Sequence, residues 1–186
     1  MAAPHTAKSS SKSSSKTGAA KKTAAKASAS SSSAEDAIKL LTHDHREVEK
    51  LFKSFQDAKS DAAKQKLAEQ ICLELKVHTQ IEEEIFYPAA GRAIEDEEMI
   101  DEAIVEHASA KKLIAEIETM RAGQDMFDAK VKVLCEQVDH HVKEEEKELF
   151  PECRKAGLDL EGLGERLQQR KMELMNKMTG GRAGAH

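Results

Sequence analysis

The stretch His78–Pro88, HTQIEEEIFYP, returns 63 residues later as His141–Pro151, HVKEEEKELFP. Each copy opens on His, carries Glu at its fifth and sixth places, an aromatic residue at its tenth and Pro at its eleventh. Glu at the fifth place is four residues from the His, so the two side chains leave a helix on the same side, one turn apart. Upstream, the same stripe is apolar: Leu67, Ile71 and Leu75 precede His78, and Phe127, Val131, Leu134 and Val138 precede His141. That spacing predicts two helices, with Glu82 and Glu145 on the face each helix buries. The aromatic–Pro pairs read as their stops.

Two more stripes share the spacing. Ile38, Leu41, His45, Val48, Phe52 and Phe55 mark a helix from about Glu35 to Ala58. Ile100, Ala103, His107, Ala110, Ile114 and Ile117 mark another, from an acidic start at Glu95–Glu98 to near Gly123. Ser60 or Asp61 can cap the second helix and Asp125 the fourth. Four helices with short connections predict an all-α, up-down-up-down four-helix bundle over residues 34–156. Within 157–178, roughly Glu161–Met178 places Leu163, Leu167, Met172 and Met175 on one side, which predicts a short C-terminal helix packed on the bundle. Residues 179–186 read as a flexible end. The halves are also duplicated: His45 to His107 is 62 residues, and DHREVEKLF and EHASAKKLI share an acid, His, Lys and Leu in register. Each half is one αα-hairpin.

Composition agrees with this class. Aromatic residues make up 3% of the chain, Trp is absent, and Ala, Leu, Glu and Lys, all good helix formers, dominate. No apolar run is long enough for a membrane-spanning helix. Three Cys (Cys72, Cys135, Cys153) form no disulfide-framework spacing, which fits a reducing, cytoplasmic setting. The opening segment lacks the apolar run of a secretory signal; it is acid-free like a transit peptide but has no Arg. Residues 1–33 hold six Lys, eleven Ser and no acid, leaving 23 basic against 34 acidic residues, a body of −11. This predicts a disordered basic tail on an acidic domain. Its charge would suit nucleic acid, although it offers no base-reading or stacking side chains.

The chemistry lies in the stripes. Burying a carboxylate without a partner costs several kcal/mol, and this core carries two, accompanied by one in-phase His on each of four helices. A lone core His is ordinarily a hydrogen-bonded structural residue, and EEE is ordinarily a solvated face. The conjunction of four His with two duplicated His-x3-Glu steps points instead to a shared cation. Imidazole and carboxylate donors without thiolate favour iron, or manganese and zinc, over copper(I). Two Glu make a carboxylate-bridged pair of ions natural, and four His with two Glu leave open positions for water, hydroxide, dioxygen or peroxide. His5 and His186 lie in the chain ends, His140 falls off the stripe, and the three Cys read as packed side chains.

The pattern resembles the haemerythrin-like, or HHE cation-binding, family, whose signature is His on helix one, His-x3-Glu on helix two, His on helix three and His-x3-Glu on helix four. The resemblance covers about residues 35–155. It implies that His45, His78, Glu82, His107, His141 and Glu145 hold two non-haem irons with a carboxylate or oxo bridge, Glu82 and Glu145 bridging. Oxygen-carrying members have His four residues after the helix-three ligand, where this chain has Lys111, so the place stays open or is filled by Glu49 or His43. They have Asp five residues after the helix-four His; here both Glu145 and Glu146 are present, and the repeat favours Glu145.

The function expected is an iron protein of the stress response that binds or senses iron, dioxygen or reactive oxygen and nitrogen species, with dioxygen, peroxide or nitric oxide as small ligands. The alternative is a catalase- or peroxidase-like di-iron enzyme or an iron-centre repair protein. A further alternative is a DNA-associated, iron-binding protective protein held by residues 1–33.

Overall fold

The computed structural model describes residues 36–94 and 98–180. Five helices account for them. Helix α1 is Ala37–Asp57. Helix α2 runs Asp61–Ile81, widens into a π-helical turn at Glu82–Phe86 and closes as Tyr87–Ala90. Helix α3 is Glu98–Glu118. Helix α4 repeats the plan of α2: Phe127–Glu144, a π turn at Glu145–Leu149, then Phe150–Lys155. Helix α5 is Leu160–Gly180. The basic tail expected at residues 1–33, the acidic positions 95–97, and residues 181–186 of the expected flexible end lie outside the described residues. No described helix is long and apolar enough to cross a membrane.

Helix ends follow local chemistry. The Asp36 carboxylate accepts from the Lys39 N–H at 2.9 Å, and Ser60 Oγ from the Ala63 N–H at 3.3 Å, each satisfying a donor that the first turn leaves orphaned. The expected cap at Asp125 is not used: Met126 takes that place in the left-handed region, at φ 71°, with no side-chain cap bond. Helix α3 ends at Glu118, short of Gly123, which supplies a positive φ of 87° in the following turn.

The helices pair α1 with α2 and α3 with α4, while α2–α3 and α1–α4 contacts close the ring. The bundle is therefore up-down-up-down, as its stripes predict. Helix α5 lies against α1, α2 and the first π turn, burying Leu163, Leu167 and Leu174. Met172, expected on that inward side, is 52% exposed, and Leu174 takes the inward place.

Two apolar clusters fill the interior. One contains Leu41, Val77, Ile81, Phe86, Tyr87 and Phe150 and is covered by α5. The other contains Val48, Phe52, Phe55, Ile71, Ile114 and Phe127. Each stripe passes from one cluster to the other at its histidine: His45 between Leu41 and Val48, His107 between Ala103 and Ala110. The four histidines thus form a polar layer between two hydrophobic ones.

Neither Pro stops its helix, contrary to the sequence expectation. In an α-helix, Pro would remove one hydrogen bond and clash with the carbonyl four residues back. Here the Tyr87 and Phe150 N–H groups donate five residues back, to the carbonyls of Glu82 and Glu145. The wider turn shifts the ladder by one residue just before the proline, so the missing donor falls where the register changes. It also alters the phase of the stripe. After Glu82 the deeply buried side chains are Phe86, at 0% exposure, and Tyr87, at 2%, while Ile85 is only half-buried.

Candidate metal centre

The donors converge in pairs. His45 Nε2 and His78 Nε2 stand 3.1 Å apart, with Glu145 Oε2 3.2 Å from the first and Glu82 Oε2 3.2 Å from the second. Opposite them, His107 Nε2 and His141 Nε2 are also 3.1 Å apart; Glu82 Oε2 lies 3.5 Å from His107 and Glu145 Oε2 3.6 Å from His141. Two groups of donors result, His45/His78/Glu82/Glu145 and Glu82/His107/His141, each with its atoms within 4.8 Å of one another. Glu82 belongs to both. All six residues singled out in the sequence meet here, and all are buried.

Each imidazole turns its Nε2 inward and its Nδ1 toward a carboxylate. His45 Nδ1 is 2.9 Å from Glu146, His107 Nδ1 3.0 Å from Glu83, His141 Nδ1 2.8 Å from Glu106, and His78 Nδ1 3.7 Å from Asp44. A lysine or arginine backs three of these carboxylates. Arg46 pairs with Glu146, Lys111 with Glu83 and Lys171 of α5 with Asp44, while His140 stands 3.5 Å from Glu106. A carboxylate on Nδ1 fixes the proton there and leaves the Nε2 lone pair facing the interior, the arrangement that orients histidine ligands at metal sites. Two such lone pairs 3.1 Å apart repel each other unless a positive charge lies between or beside them.

A model of the Hemerythrin HHE cation binding domain matches residues 36–153. The chain belongs to the haemerythrin HHE family. The HHE domain-containing protein of Mycobacterium kansasii has a solved structure that superposes with a TM-score of 0.67 at 21% identity, covering 77% of this chain and 89% of that one. That likeness supports the fold. A DNA nickase from Nostoc sp. is 30% identical over 120 residues; this chain spans only about a third of its length, 33%, while the match takes in 64% of this chain.

The HHE core also shows that its polar interior fits a cation. Both oxygens of Glu82, which is 0% exposed, and Oε2 of Glu145 are buried without a hydrogen-bond donor. Burial, reinforced by the charge of Glu145, pushes the Glu82 carboxyl well above its ordinary range. Burial acts the same way on Glu145, but the adjacent His45 imidazole, 3.2 Å away, and the charge of His141 outweigh it and hold that carboxyl at about 2. Burial and the neighbouring His141 drive His107 down to about 2, and burial lowers His78. Those two rings are therefore neutral near pH 7, as coordination requires. His45 moves upward: burial opposes its charge, yet Glu145 and Glu146 prevail.

Four features answer questions the sequence leaves open. Glu145 faces the centre, and Glu146 stands behind His45. Lys111, in place of a fifth His, holds Glu83 against His107. Neither His43 nor Glu49 fills a vacant place, since both are exposed. The extra group is Tyr87, which sequence reading passed over as the aromatic of the stop. Its hydroxyl donates to Glu145 Oε1 at 3.0 Å and lies 3.2 Å from His107 Nε2 and 3.5 Å from His141 Nε2. The signal available was Tyr rather than Phe at the tenth place of the first repeat. The three Cys lie in the apolar clusters, and none joins a donor group. Beside the four histidines a cavity of about 30 Å³ has room for roughly one water-sized molecule, with Val48, Leu75, Ala110 and Val142 among its walls.

Proposed function

We propose that this chain is a non-haem iron protein whose centre holds two ions through His45, His78, Glu82, His107, His141 and Glu145 and binds or senses dioxygen or reactive oxygen and nitrogen species. The observation that carries it is the pairing of four inward Nε2 atoms with two fully buried carboxylates, of which both Glu82 oxygens and Glu145 Oε2 lack donors. Mixed imidazole and carboxylate donors suit iron, and manganese or zinc next. Iron held there would supply redox change and open positions for dioxygen, peroxide or nitric oxide.

The chain's own residues define what such a ligand meets. Carboxylate–imidazole hydrogen bonds fix the rings of His45, His107 and His141 at set angles. The largely apolar walls of the 30 Å³ cavity leave room for a ligand about the size of a water molecule. The Tyr87 hydroxyl, within reach of His107, His141 and Glu145, can hold a hydrogen bond or a proton at the second group of donors. That hydroxyl also favours a second reading, peroxide consumption, because a positioned proton donor is what peroxide cleavage needs.

Elemental analysis for iron, manganese and zinc on protein purified anaerobically, followed by the visible spectrum on exposure to air, tests the reading. Two irons per chain and a new visible band are expected. Zinc alone with no spectral change would overturn it in favour of a structural metal. Peroxide turnover by the iron-loaded chain separates the second reading from the first. Association of residues 1–33 with DNA stays a further proposal, supported by their Lys content and by the DNA-acting name of one relative. Deleting 1–33 should abolish any shift of a DNA duplex, and a shift retained by the acidic body would end that idea.

A further inference from the structure

On the outer side of the second group of donors, α3 and α4 carry a third cluster, Glu106, His140 and Glu144, whose donor atoms lie within 4.8 Å of one another. His140 Nε2 is 3.1 Å from Glu144 Oε1 and 3.5 Å from Glu106 Oε1, and its side chain is 64% exposed. The other Glu106 oxygen faces His141 Nδ1 at 2.8 Å, so one carboxylate touches both the surface cluster and an inward histidine. A groove of about 40 Å³ continues inward between the two helices. Its walls include Glu102, Glu106, Glu144 and Glu148, and its floor is His141 and Glu145.

Two observations set this groove apart from an ordinary acidic face. Elsewhere the carboxylates near the centre carry a basic partner: Glu83 has Lys111, Glu84 has Arg170 and Glu146 has Arg46. Among the described residues, no Lys or Arg pairs with Glu102, Glu106, Glu144 or Glu148, and none lines the groove. At its floor, Glu145 is 2% exposed and its Oε2 has no hydrogen-bond donor. An electronegative cleft with low-dielectric walls concentrates cations at its mouth, and a histidine with two carboxylates suits a first-row divalent cation that keeps part of its water.

We propose that Glu106, His140 and Glu144 form a receiving site for a divalent cation, which passes along the groove to His141 and Glu145. The proposal rests on the reading of the buried centre as a two-cation site. Glu106 would let go of the arriving ion while keeping His141 oriented, and the next donor inward is the unpartnered oxygen of Glu145. Because Glu102 and Glu148 are exposed and Glu144 lies beside the exposed His140, replacing these three carboxylates leaves the buried layers intact.

The test mixes the metal-free full chain with limiting cobalt(II), follows uptake by the visible bands of bound cobalt in stopped flow, and measures the final content by elemental analysis. The double variant His140→Ala/Glu144→Gln should load about tenfold more slowly, with an unchanged final content, and Glu102→Gln/Glu148→Gln should be slowed less. Glu47→Gln, a carboxylate on the outer face of α1, should load at the normal rate. An unaltered rate in His140→Ala/Glu144→Gln, or equal slowing by Glu47→Gln, would overturn the receiving site. A wild-type chain that takes up no cobalt would instead overturn the two-cation centre.

Discussion

The two halves of the bundle are near-copies around the centre, and one oxygen atom sets their donor groups chemically apart. Asp44 faces His78 from the place that Glu106 takes beside His141, but at 3.7 Å rather than 2.8 Å. Glu146 crosses over to His45 just as Glu83 crosses to His107. The aromatic residues after the π turns cross in the same way: the Phe150 ring stacks on His45 at 5.9 Å between centroids, and the Tyr87 ring covers His107 at 5.4 Å. Only Tyr87 brings an oxygen. The pseudo-twofold therefore builds two similar groups of donors, while a single hydroxyl makes the His107/His141 group different from the His45/His78 group. Duplication supplies the scaffold, and a departure from it supplies chemical asymmetry.

The largest effect expected concerns the residue the groups share. Glu82→Ala should lose most bound metal from both groups, whereas His78→Ala and His141→Ala should each lose roughly half, since the remaining group keeps its oriented ligands. Elemental analysis of the three variants reads this directly, and full loading in Glu82→Ala would remove Glu82 from the site. Glu82→Gln should also stabilise the metal-free protein by roughly 1–4 kcal/mol at neutral pH, because it deletes an uncompensated buried acid. The sign follows from the raised carboxyl. Below its unfolded value of 4.5 both states are protonated and the variant gains nothing. Above that value the unfolded chain ionises freely while the folded one resists, so the advantage grows with pH. Denaturant melts of apo-protein at pH 4 and pH 7.5 measure it; an equal difference at both would show that Glu82 is not held neutral.

Tyr87→Phe makes the halves alike. It should weaken retention of one of the two ions by about tenfold in chelator competition while leaving the other unchanged, and uniform weakening would assign Tyr87 to packing alone. The smallest effect belongs to the cations behind the carboxylates. Lys171→Met and Lys111→Met should each lower affinity a few-fold, the first acting through Asp44 on His78 and the second through Glu83 on His107. An effect confined to the same ion for both variants would contradict that division.

The bundle and its six inward residues were legible because a 3–4 repeat fixes which side chains share a face, and because charge on that face is expensive to bury. Glu83 and Glu146 were not, because each belongs to an EEE or EEK run that reads equally well as a solvated surface; only the fold shows them reaching the Nδ1 of a histidine on another helix. Lys171 lies 127 residues from its partner Asp44, beyond any local pattern. Tyr87 was misread with Pro88 as the end of a helix, since a π turn differs from an α turn by one residue and leaves the heptad-like spacing upstream untouched. The left-handed Met126 has the same origin: Asp125 is the better cap by propensity, and the chain's path into α4 overrides it.

That one-residue difference makes the long helices act as indexed shafts. An α-helix rotates by about 100° per residue, so closing the first π turn into an α turn with its residue count unchanged would turn everything beyond it by that angle relative to His78 and Glu82. Tyr87 would swing off His107, and Pro88 would face an ordinary α-helical carbonyl at a cost of about 3 kcal/mol. The angular setting of the centre is thus stored in the width of two short turns.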